Sequence, residues 1–153
     1  MKRNISTILA IALGTALLMS LTATAQTCSL ARAAATYAFS DSGTIIGVGP
    51  RVAVGVLTLD AAGNLLNGKA TSSLNGAIAQ EAFSGTYSVS SDCRGTFAID
   101  VRDLSGNLLL TISGGLAWDD NMKEIRLIFT SAALADGTPL SIIISGEGRK
   151  LVP

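Results

Sequence analysis

From about position 37 to its end the chain alternates strand-like runs with short clusters of turn formers, and this spacing constrains the fold more than any other feature. The runs fall at 37–47, 51–60, 65–75, 77–90, 96–103, 108–118, 123–131 and 140–151, separated by Gly, Asn, Asp and Ser. Gaps this short leave no room for the helical crossovers that parallel strands require, so consecutive runs pair antiparallel. Asn75-Gly76 is a strong two-residue hairpin signal, because both residues tolerate the positive φ of a tight turn. Gly63-Asn64 supplies the same chemistry one hairpin earlier, and Gly114-Gly115 marks a bulge or sharp bend inside the sixth run.

Side-chain alternation agrees with strands. Phe97, Ile99 and Val101 alternate with Ala98, Asp100 and Arg102, and Phe83, Gly85, Tyr87 and Val89 alternate with small polar residues. In the second run Val52, Val54 and Val56 lie opposite Leu57 and Leu59, so both of its faces are expected to be buried. The expected fold class is all-β: an eight-stranded antiparallel up-and-down barrel, in which the first strand pairs with the last and no edge remains. A two-sheet β-sandwich is the alternative that the same pattern allows. The Ala-rich stretch 28–36 is expected to form a helical turn or two.

Ahead of the strands, Lys2 and Arg3 precede an apolar run, 8–21, that ends at Ala23-Thr24-Ala25. A basic start, a short apolar stretch and a small-x-small site are the signature of a secretory signal peptide. Residues 1–25 are therefore expected to be the signal peptide, cleaved after Ala25, and 26–153 a single β-barrel domain that is secreted or periplasmic. No later run is long and apolar enough to span a membrane as a helix, so no membrane span is expected after cleavage.

Cys28 and Cys93 both lie in the mature part, and two cysteines in an oxidising compartment read as one disulfide. Closing a loop of that length stabilises the fold by about 4 kcal/mol in the chain-entropy account.

Histidine is absent, which excludes Ser-His-Asp and Cys-His chemistry and removes the commonest metal ligand. Acids and bases balance at 11 each, and losing Lys2 and Arg3 leaves the mature part slightly acidic, so no nucleic-acid partner is expected. No cofactor motif occurs. Asp100, Arg102, Glu124 and Arg126 are expected to face solvent, with an inward polar cluster as the alternative. Asp119, Asp120 and Asn121 read as turn formers rather than calcium ligands. Tyr37, Phe39, Phe83, Tyr87, Phe97, Trp118 and Phe129, spread over the strands, read as core. No catalytic, ligand-binding or metal residue emerges from this reading.

The segment 83–96 carries the pattern G-T-Y-x-V-x-x-D-C-x-G-T, from Gly85 through Asp92-Cys93 to Gly95-Thr96. With 55–64 and 73–76, it resembles a group of small secreted bacterial proteins without assigned function, over roughly 36–130. In architecture the chain is also similar to the calycin-like barrels of the allene oxide cyclase type and, more loosely, to the lipocalins. That resemblance implies a shared fold rather than a shared activity. It leaves two function classes: a module that binds a small apolar ligand or a surface partner, and a cyclase- or isomerase-like enzyme working in an apolar cavity. Binding calls for a lumen lined by small residues, catalysis for a perturbed acid inside it, and a purely structural role for a filled core. Whether the chain is an enzyme, its ligand and its oligomeric state stay open at this point.

Overall fold

In the computed structural model, which describes residues 27–151, β1 (Ala35–Ile45) is hydrogen-bonded on one side to β2 (Gly49–Leu59) and on the other to β9 (Ile142–Lys150). Between β2 and β9 run β3 (Asn64–Leu74), β4 (Ala77–Tyr87), β5 (Arg94–Arg102), β6 (Leu108–Asp119), β7 (Glu124–Leu134) and the two-residue β8 (Pro139–Leu140). Neighbours in sequence pair antiparallel through β7. There the first half of β7 pairs with β9, and Ala132 and Ala133 pair with β8. The result is a closed eight-stranded antiparallel barrel with β8 as an extra strand. Closure through the β6–β7, β7–β9 and β9–β1 pairings rules out the two-sheet sandwich. The expected signal peptide and its cleavage site after Ala25 lie outside the described residues.

Turn chemistry falls where the sequence places it. Asn75 (φ 49°) and Gly76 (φ 89°) form the β3–β4 hairpin, and the register of β6 against β7 shifts between Ser113 and Gly114. A second bulge was not anticipated: Asn67, at φ 53°, interrupts the pairing of β3 with its neighbours. Curvature also depends on inward glycines lying under aromatic rings. A Cβ on Gly68 would sit 2.3 Å from the Phe83 ring, and one on Gly114 2.3 Å from Phe97, so these rings occupy the space the glycines leave.

Two expectations are corrected. Val52, Val54 and Val56 are 53%, 61% and 39% exposed, so β2 buries one face only. A closed barrel packs its inside, and the alternate residues of each strand point away from that core. The gap left between the runs 123–131 and 140–151 is shorter than expected, because β7 continues to Leu134 and a tight turn leads to β8.

One end of the barrel is plugged by α1 (Leu30–Ala33), which starts at Ser29, whose hydroxyl accepts from the Arg32 amide. Ala33 and Tyr37 are fully buried, and the Tyr37 hydroxyl donates to the Ala33 carbonyl at 2.9 Å. Tyr87 donates to the Asp60 carbonyl at 2.6 Å and packs against Trp118, ring centroids 6.3 Å apart. Burial pushes both phenols up to about 12. The disulfide joins Cys28, just ahead of α1, to Cys93 in the β4–β5 turn.

Candidate functional site

Every second residue of each strand points into the lumen, so strand phase decides what fills it. Phe39 meets Phe83 edge to face with centroids 5.7 Å apart, and Phe97 meets Phe129 likewise at 5.8 Å. With Leu57, Leu65 and Leu127 these rings leave a cavity of about 60 Å³. A water needs roughly 10–15 Å³ of such space, so the void has room for about four or five, and it is far below the roughly 300–1,000 Å³ of pockets for drug-sized ligands. The lumen is an aromatic core with a small apolar void, not the small-residue lining that an open binding pocket would show.

The void borders one buried ionic group. Asp41 on β1 shares its phase with Tyr37 and Phe39, Arg51 on β2 with Leu57 and Leu59, Glu81 on β4 with Phe83, and Ser72 on β3 with Ala70. All four are buried. Arg51 lies between the acids: Nη1 donates to Asp41 Oδ1, and Nη2 donates to Glu81 Oε2 at 3.1 Å. Ser72 Oγ donates to Glu81 Oε1 at 2.6 Å. Removing charges from water costs several kcal/mol each, and only mutual pairing and hydrogen bonding make such a group tolerable. Burial pushes the Asp41 carboxyl up to about 6, with Arg51 opposing that shift and Glu81 reinforcing it. An acid poised there exchanges a proton close to neutral pH.

The four charged residues singled out from sequence are elsewhere. Asp100 pairs with Arg102 at 3.0 Å on the outer face. Arg126 bridges Asp119, Glu147 and Glu124 at 3.3, 3.1 and 3.4 Å, also outside. The outward reading of these residues holds. Asp120 and Asn121 form a 3-10 turn with Met122, and among the described residues no group of acids and cysteines is arranged to hold a metal. The aromatic residues all point inward as core. Trp118 Nε1, also buried, has no hydrogen-bond partner among the described residues.

Sequence reading missed the buried group. Its signal was phase: Asp41, Arg51 and Glu81 each occupy the same parity as the aromatic and leucine residues of their own strand. In β2 the valines instead drew attention to the opposite face.

Among the described residues no helix is long and apolar enough to cross a membrane. Asp100, Arg126 and Glu147 lie within strands on the outer wall, where a lipid-facing band would make charges costly.

No protein family and no curated protein matches the chain. Among solved structures it is similar to EF1p2_mFAP2b bound to DFHBI, with a TM-score of 0.56 and 11% identity over 80% of this chain and 100% of that one. It is also similar to a de novo designed fluorescence-activating β-barrel, with a TM-score of 0.51 and 15% identity over 81% and 99%. The fold is a small closed β-barrel. At such identities the likeness speaks for architecture alone, and it agrees with the antiparallel barrel expected from the strand pattern.

Proposed function

We propose that this is a secreted single-domain barrel that binds a compact ligand in its lumen, the ligand's apolar body against the phenylalanine rings and its polar end at Asp41, Arg51 and Glu81. The observation that carries this reading is the contact between an apolar void and a buried, hydrogen-bonded ionic group. Such a site orients a guest by one polar end and holds the rest by apolar packing. The void of about 60 Å³ restricts the guest to a few heavy atoms. A β-barrel of similar fold is bound to DFHBI, so binding of a small molecule is compatible with this architecture.

Secretion is part of the proposal. The basic start, the apolar run 8–21 and Ala23-Thr24-Ala25 support it, and the Cys28–Cys93 pair suits an oxidising compartment. The intact mass of protein recovered outside the cytoplasm should correspond to a chain starting at Gln26 and lacking two hydrogens. A mass retaining 1–25 would contradict it.

Xenon tests the lumen, since it enters dry apolar cavities. It should shift the methyl signals of Leu57 and Leu127 saturably, and Ala70→Leu, which enlarges a side chain lining the void, should abolish the effect. Equal shifts in both proteins would count against the lumen.

A cyclase- or isomerase-like activity is the second reading, favoured by the raised Asp41 inside the cavity. It requires the ligand to leave chemically changed, and Asp41→Asn to stop that change while the protein still binds. Recovery of unaltered ligand after prolonged incubation would exclude it for that ligand.

A further inference from the structure

The charges lining the lumen decide which compact ligand it suits. Asp41, Arg51 and Glu81 are the charged side chains at the cavity, two carboxylates facing one guanidinium. With all three ionised the interior carries an excess negative charge. The hydrogen bonds show where it sits. Both Glu81 oxygens are engaged, Oε1 by Ser72 and Oε2 by Arg51. Arg51 spends one terminal nitrogen on each acid. Asp41 is 5% exposed and receives Arg51 on Oδ1, and no hydrogen bond reaches its Oδ2 among the described residues.

A ligand carboxylate would have to reach a guanidinium already held by two acids, adding a third negative charge to a low-dielectric interior. A neutral hydroxyl could donate to Oδ2 but would leave the excess charge in place. A cation does both: it donates to the open oxygen and balances the group, and charge-assisted hydrogen bonds are the stronger kind. Burial and the neighbouring Glu81 raise Asp41 although Arg51 opposes them, in keeping with two acids sharing one base.

The geometry points to a compact primary ammonium ion, an alkylamine of a few carbon atoms, as the ligand class of this lumen, with the ammonium on Asp41 Oδ2 and the alkyl body against Phe39 and Phe83. The inference rests on the lumen being the binding site.

The experiment compares n-propylamine, n-propanol and propionate, which share a carbon skeleton and differ in head group. Each is titrated at equal ionic strength near pH 7.5 and followed by the lumen methyl signals. The amine should bind about tenfold more tightly than the alcohol, as one charge-assisted hydrogen bond supplies, and propionate should be weakest. Asp41→Asn should bring the amine down to the level of the alcohol. Lowering the pH to about 5 should weaken amine binding to wild type, because protonating Asp41 removes the excess charge. The charged groups facing Asp41 are Arg51 from β2 and Glu81 from β4, while β9 presents Gly146.

Propionate binding as tightly as the amine, or an amine preference that survives in Asp41→Asn, would overturn the inference while n-propanol still reports a working lumen. If none of the three shifts the lumen methyls, the lumen reading itself fails and the inference with it.

Discussion

At the α1 end the barrel is closed by a short helix, a disulfide and three large aromatic residues, whereas the half containing Arg51 holds an ion group beside a void. The closed end is held by apolar packing, phenol-to-carbonyl hydrogen bonds and a covalent tie, none of which titrates near neutral pH. The other half carries two acids for one base, and its stability depends on pH. Turns at that end also carry apolar residues outward: Ile46, Val48 and Leu104 are 56%, 48% and 75% exposed. The comparison teaches that one end is built for permanence and the other carries an electrostatic cost that packing alone does not explain. That cost is the physical signature expected of a site.

The largest effect should come from breaking the ion group asymmetrically. Arg51→Met leaves two buried carboxylates without their cation and should lower stability by roughly 3–5 kcal/mol in denaturant titration. Neutralising the acids as well, with Asp41→Asn and Glu81→Gln in the same chain, should recover much of the loss. Wild-type stability in the single variant would mean that the group is not buried and paired as described.

Next comes the covalent tie. Replacing both Cys28 and Cys93 with Ser should cost about 4 kcal/mol by the loop-closure argument. Because the bond lies at the α1 end, the affinity of the lumen for n-propanol should change little in the folded variant. Equal melting temperatures with and without the cysteines would show that the tie does not stabilise that end.

The pH effect is smaller and opposite in sign to the usual carboxylate case. The folded-state value of Asp41, about 6, lies above its ordinary 3.8, so between these values the native state holds more protons than the unfolded chain. Its contribution is complete below about pH 4 and is lost as pH rises to about 6, on the order of 3 kcal/mol. The difference in stability between wild type and Asp41→Asn, measured from about pH 4 to 7, should track this loss. A flat difference would contradict the buried placement of Asp41. At the α1 end, Tyr87→Phe removes the hydrogen bond to the Asp60 carbonyl and should cost about 1 kcal/mol with no dependence on pH over that range.

Much of the barrel was legible because turn chemistry is local. Asn75-Gly76 and Gly114-Gly115 announce a hairpin and a bulge whatever surrounds them, and the two cysteines identify each other by count. The site was not legible because it depends on closure. Arg51, Asp41 and Glu81 come from three strands and meet only when β1, β2, β3 and β4 curl with the same phase inward. Before closure is known, either face of β2 qualifies as core, and Val52, Val54 and Val56 read as the more apolar one. The cavity volume depends on how four phenylalanine rings interdigitate over glycines, which no spacing rule reports.

The most direct test of the central claim is methyl NMR of wild-type protein titrated with n-propanol, with signals assigned on both walls of the barrel. Saturable shifts at the inward Leu57, Leu65 and Leu127, with the outward Val52, Val54 and Val56 unmoved, are the predicted result. Shifts confined to those outer valines, or none that saturate at any methyl, would contradict a ligand site in the lumen.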